Sequence, residues 1–260
     1  MAPTLFRPDS VTWRINREVV LLLGGGRALL MQLAHPSVAA GVADHSDFRL
    51  RPVHRLMRTL GLTLTLTFGT RPEALEAARQ INVLHLRVRG EGYSAADPRL
   101  LLWVHATLID SALATYRTFV GPLSADDEET YYGEAKLVGG LLGLARARYP
   151  ASFPDFRHYL HGMLEGDELM VDARTRELAA AVLRPPLRSV PVPTYRPLEV
   201  LTAGLLPERL RADYGLRWGA LEQTAFRAAR GCLPAVLAAL PRRLRHMPPA
   251  RRALGECSVR

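Results

Sequence analysis

The residues best suited to chemistry in this chain are histidines and arginines set at helical spacing. The clearest stretch is 81–90, INVLHLRVRG. Read as a helix, it puts Ile81, Leu84, His85 and Val88 on one face, so the His85 imidazole lies in an apolar stripe. Arg89 follows one turn later on the same side, which pairs a potential metal-binding nitrogen with a permanent positive charge that can hold a carboxylate. In RPVHRLMRT, residues 51–59, Arg55, Arg58 and Thr59 stand at i, i+3 and i+4 and share a second face. That face reads as a solvated surface or as a wall for an anion or an oxygen ligand. His105 falls on the stripe Leu101, His105, Leu108, Ala112 and also points inward, where a satisfied core histidine and a ligand both fit. His35 precedes Pro36, which biases its backbone out of the helical region and puts it at a helix end. Asp44, His45, Ser46 and Asp47 crowd together as turn and capping chemistry, with a metal site as the sharper alternative.

The elements that position these groups are mostly helical. Pro72 and Glu73 mark a helix start, and residues 73–89 run as one helix up to Gly90 and Gly92. Asp97 and Pro98 form an N-cap followed by a first-turn proline, opening a helix over 99–120 that carries His105. Ser124 with Asp127 opens a further helix that runs to Gly143, and shorter helices follow at 156–165 and 175–183. The segment 60–70, LGLTLTLTFGT, alternates leucine with threonine at period two and on that pattern reads as a strand. Gly24, Gly25 and Gly26 have neither the GK[ST] nor the GxGxxG spacing of a phosphate loop, so close helix packing or a kink is expected there. The domain reading is a core over 11–183, a proline-rich connector at 184–197, a helical part over 198–248 packed on the core, and a basic tail at 249–260.

A chain of 260 residues with 48% hydrophobic and 23% charged residues is long enough to bury a substantial core. No apolar run reaches the length of a membrane span, because Arg27 interrupts the longest one, and the first residues lack the apolar core of a leader. A cytoplasmic protein is expected. Cys232 and Cys257 are far apart and form no zinc or CxxC pattern. The formal charge of +9 is carried by arginine, with Lys136 the single lysine. A nucleic-acid partner is not expected, whereas peripheral contact with an anionic membrane is compatible with this charge.

Four blocks in order, LLLGGGRALLMQLAHPSVAAGVADHSDF, RLMRT, NVLHLRVRG and DPRLLLWVHATLIDS, resemble the bacterial MpaB and rubber-oxygenase (latex-clearing protein) family. The resemblance covers residues 14–183 and continues more loosely to 218. It implies an all-α fold, a single helical domain with a haem pocket between core helices, and this overrules the strand reading of 60–69. It also implies haem b, with dioxygen directed at carbon–carbon double bonds of an apolar substrate, isoprenoid or polyketide in type. The family's proximal iron ligand carries over to His85, with Arg89 shortly after it, and its arginine–lysine–threonine wall is similar to Arg55, Arg58 and Thr59. Where the latex-clearing enzymes can place a lysine, Arg58 stands here, and a guanidinium is a poor iron ligand because it stays protonated. An open or water-filled sixth position follows.

These residues supply what haem requires: a neutral imidazole at His85, cations for the propionates at Arg55, Arg58 and Arg89, and an apolar wall with few donors, namely Leu56, Thr59, Leu102 and His105. Arg58, Thr59 and His105 are the candidate catalytic residues. Two other classes remain open: a non-haem metal enzyme built on His35, His85 and His105, and a non-catalytic helical binder of an apolar ligand.

Overall fold

Asp97 and Pro98 start the helix that most of the molecule packs around. The Asp97 carboxylate accepts from the Arg99 amide at 2.8 Å, and Pro98 occupies a first-turn position where no amide donor is needed. This helix, α6 (Pro98–Phe119), buries Trp103, His105, Ala106, Ile109, Leu113 and Phe119. The computed structural model describes residues 3–45, 52–185 and 195–255, with the side chains of 52–58 outside the description.

Ahead of α6 lie α1 (Val11–Asn16), a 3-10 turn (Val19–Leu23), α2 (Gly24–Leu33), α3 (Pro36–His45), α4 (Pro52–Phe68) and α5 (Arg71–Arg87). After it come α7 (Ala125–Leu141), α8 (Phe153–Glu165), α9 (Ala173–Leu183), α10 (Arg196–Leu205), α11 (Glu208–Asp213), α12 (Ala220–Ala239), α13 (Arg242–Arg245) and α14 (Pro248–Ala253). The fold is all-α. Among the described residues its single sheet is a two-stranded ribbon, β1 (Arg89–Gly90) against β2 (Tyr93–Ser94), turning at Gly92 with φ +75°.

The glycine triplet serves close packing. A Cβ on Gly24 would collide with Thr115 of α6 and one on Gly26 with Thr202 of α10, while Gly25 faces open space. Two glycines thus let α2 approach two neighbours at once. No single helix among the described residues is long and apolar enough to cross a membrane. The apolar stretch of α2 and α3 is broken by a 105° bend and carries the buried Arg27.

The segment 60–68 is helix, not strand. Its period-two alternation has a helical explanation, because α4 is sandwiched. Leu62 and Leu66, one turn apart, pack with Ala77, Ala78 and Ile81 of α5. Leu64 and Phe68, likewise one turn apart, pack with Trp13 and Met247. Two apolar faces offset by two residues leave threonine in between, and Thr63, Thr65 and Thr67 donate their hydroxyls to the carbonyls of Thr59, Gly61 and Thr63, four residues back.

The C-terminal part returns to the start of the chain. Met247 and Ala250 are buried with Phe6, Trp13 and Phe68, so the expected tail boundary at 249 falls inside α14. The Met247 amide donates to the Arg17 carbonyl at 2.7 Å. Arg245 donates to Glu18, a carboxylate only 1% exposed, at 2.8 Å. The expected connector at 184–197 falls largely at 186–194, outside the described residues, and α10 already begins at Arg196.

Gly24→Val should destabilise the protein by about 1–3 kcal/mol through overpacking against Thr115. Gly25→Ala should instead be neutral or stabilise by about 0.5–1 kcal/mol, because alanine is the better helix former. Urea unfolding of the two variants beside the parent protein checks both.

Candidate functional site

α4 and α5, joined only by Gly69 and Thr70, form a helical hairpin. Thr70 and Glu73 close a capping box at its turn, the Glu73 carboxylate accepting from the Thr70 amide at 2.8 Å. Leu62 and Thr65 stand against Pro72, Glu76, Ala77 and Gln80, so the register is antiparallel. The last turn of α5 therefore lies beside the first turns of α4. His85 sits on that last turn, and the backbone of Arg55, Arg58 and Thr59 belongs to those first turns. Sequence and topology thus bring four of the expected residues to the open end of one hairpin. The side chains of Arg55 and Arg58 lie outside the described residues, and Thr59 is exposed.

His85 is partly buried, and its Nδ1 is fully buried with no hydrogen-bond partner. Burial holds its pKa below the ordinary histidine value. The ring is neutral near pH 7, as a metal-ligating imidazole must be, and an orphaned buried nitrogen of this kind is the feature a missing ligand would satisfy.

Arg89 requires a correction. It does not stand one turn beyond His85 on the same helix face, because α5 ends at Arg87 and Val88 is extended at φ −89°, ψ 92°. The glycines at 90 and 92 draw the chain into the β1–β2 turn two residues earlier than the apolar pattern indicates. Arg89 is exposed in β1, and its carbonyl lies 2.9 Å from His45 Nε2.

His105 takes the inward position expected of it. Its Nδ1 lies 2.5 Å from the Tyr149 hydroxyl. Burial pushes the histidine down to about 4 and the tyrosine above its usual value, so the phenol keeps its proton and donates it to a neutral imidazole. Gly139 makes room for this, since a Cβ there would collide with the Tyr149 hydroxyl. Around the pair, Tyr132 packs with Phe153 and Phe156. Lys136 lies 4.0 Å from the Tyr132 ring centroid and donates to the carbonyls of Pro150 and Ala151, both at 2.9 Å. Tyr149, 44 residues from His105, had no signal in the sequence.

His35 stands at the bend between α2 and α3, as expected, and its Nδ1 accepts from the Ser37 amide at 3.2 Å. Burial, followed by nearby Arg99, holds its pKa down. Asp44 and His45 close α3 instead of forming a turn. Asp44 accepts from Tyr93 at 2.9 Å and pairs with Arg174 at 2.5 Å, while Ser46 and Asp47 lie outside the described residues. Among the described residues no three histidine, cysteine, aspartate or glutamate side chains converge as a metal site. The trio His35, His85 and His105 is therefore not brought together.

Fold and site define an all-helical domain with a neutral, unpartnered imidazole at the open end of a helical hairpin. The family described as ER-bound oxygenase mpaB/B'/Rubber oxygenase, catalytic domain, matches residues 12–235, and the chain belongs to it. Its activity is accordingly of the oxygenase type, an oxidoreductase chemistry. Two relatives, the uncharacterized protein Rv2237 of Mycobacterium tuberculosis and the uncharacterized protein Mb2261 of Mycobacterium bovis, are each 31% identical over 213 residues, 76% of this chain and 81% of theirs. No solved structure gives a significant match.

Of His35, His85 and His105, the last is the most deeply buried and the most strongly shifted. Its folded-state pKa of about 4 lies below the unfolded value of 6.5, so its contribution is complete above pH 6.5 and is lost as the pH falls towards 4. Parent stability should fall by on the order of 3 kcal/mol across that window. His105→Gln should unfold more readily at pH 7.5 yet lose less between pH 7.5 and 4.5, as urea midpoints at the two pH values will show.

Proposed function

We propose that this chain is a haem-b-dependent oxygenase that uses dioxygen to attack a carbon–carbon double bond in an apolar substrate of isoprenoid or polyketide type. The observation that carries the reading is the His85 imidazole, neutral and with its buried Nδ1 unpartnered, at the end of the α4–α5 hairpin. The residues present fit the group. His85 would hold the iron, and Arg55 and Arg58 on the facing turns of α4 supply cations for the two propionates. When bound, haem supplies the metal at which dioxygen is activated.

The protein's own part is placement and charge. The apolar hairpin contacts of Leu62, Leu66, Ala77 and Ile81 fix the spacing of α4 and α5, so the position of His85 is set by packing and not by a flexible loop. Arg58 keeps its proton at any ordinary pH. It would balance negative charge on the bound group and would be a poor ligand to its metal. Thr59 adds a hydroxyl beside it. Arg89, exposed on β1, would have to reach a propionate from the ribbon and not from the helix. His105 has its Nδ1 already bonded to Tyr149, so that nitrogen is not free to take a metal. The family's oxygenase activity supports the reaction class.

Protein purified after growth with a haem precursor should show a Soret band that shifts on reduction with dithionite under carbon monoxide. His85→Ala should lose most of the band while keeping the helical circular-dichroism spectrum and a cooperative melt. An unaltered Soret band in a folded His85→Ala protein would remove His85 as the ligand.

A further inference from the structure

A second cleft, of about 430 Å³, lies between α6, α8, α10 and α12, away from the α4–α5 hairpin. Its wall is half apolar. Ala114 of α6, Leu205 at the end of α10 and the Phe226 ring of α12 supply carbon surface. Phe226 is held rigidly, edge-on to Phe119 at 6.1 Å and to Trp218 at 5.7 Å, and it lies so close over Gly204 that a Cβ there would collide with its ring.

The polar half is cationic. Arg117, Arg157 and Arg230 come to the cleft from three different helices. Arg117 is neutralised by Glu128 at 3.1 Å. Asp110, the acid of the cleft, is spent on the buried Arg27, at 2.5 Å. Arg157 and Arg230 have no acidic partner among the described residues. Two like charges brought to one concavity from separate helices favour an added counter-charge, and among the described residues no acid pairs with either. Neither group helps the fold, since both are exposed at the rim.

From this juxtaposition we infer a binding site for an amphiphilic anion: a phosphate or carboxylate head group between Arg157 and Arg230, with an aliphatic tail along Ala114, Leu205 and Phe226. Planar guanidiniums suit such a head group, because each offers two parallel donors to a pair of oxygens. The cleft volume falls within the range of small-molecule sites, and its mixture of carbon surface with a few convergent charges is the usual composition of one. The site does not rest on the haem reading and survives its failure.

Isothermal titration with monomeric dodecyl phosphate tests it. The parent protein should bind one equivalent saturably, and inorganic phosphate and dodecyl maltoside, which present the head and the tail separately, should each bind at least about tenfold more weakly. The double variant Arg157→Glu with Arg230→Glu changes only exposed side chains, so its melt should match the parent while its dodecyl phosphate affinity falls by about tenfold or more. Replacing both by lysine should retain part of the affinity. The inference is overturned if dodecyl phosphate shows no saturable binding, if the glutamate variant binds it unchanged, or if either half-ligand binds as tightly as the whole.

Discussion

One buried guanidinium holds the centre of this molecule. Arg27, in the second turn of α2 and 5% exposed, donates to the Leu205 carbonyl at 2.8 Å, to Ser111 Oγ at 2.8 Å and to Asp110 at 2.5 Å. It thereby ties α2 to α6 and to the end of α10. Gly24 and Gly26 just before it make that possible, because α2 must come close to both neighbours before a single side chain can reach them. A buried pair is no strong source of stability in itself, but losing one partner would strand the other at a cost of about 3–5 kcal/mol. The arrangement therefore fixes which helices are neighbours more than it deepens the energy well.

Much of this was legible in the residues, and the failures have physical causes. Helix starts were readable because they are local: Asp97 with Pro98, Pro72 with Glu73, and Ser124 with Asp127 all start helices. The inward positions of His85 and His105 followed from periodicity. The leucine–threonine alternation misleads because a helix covered on two sides shows two apolar stripes, and stripes offset by two residues imitate a strand. Arg89 misleads for a different reason. Its spacing from His85 is helical, but two glycines end the helix before that spacing counts. Tyr149, the partner of His105, is found only by folding, since long-range pairs leave no pattern in a single sequence. The cationic cleft was hidden likewise: Arg157 and Arg230 are two arginines among many until α8 and α12 bring them together.

The two histidines at the core of the functional reading illustrate opposite solutions to one cost. A buried imidazole must lose its charge, and its nitrogens must then be satisfied. At His105 the protein answers from within, with a tyrosine admitted by a glycine. At His85 the answer is withheld at Nδ1. Family membership gives the oxygenase character, and the two histidines differ in that one nitrogen is satisfied from within and the other has no partner.

The return of the C-terminal segment to the first helix also sets an order of events during synthesis. Trp13 and Phe68 are covered by Met247 and Ala250, and Glu18 receives Arg245, so the first helix leaves the ribosome long before its cover is made. Its apolar side must wait until Met247 and Ala250 emerge, which leaves the nascent chain open to holding chaperones up to that point. A chain cut at residue 235, where the family match stops, would never end that wait.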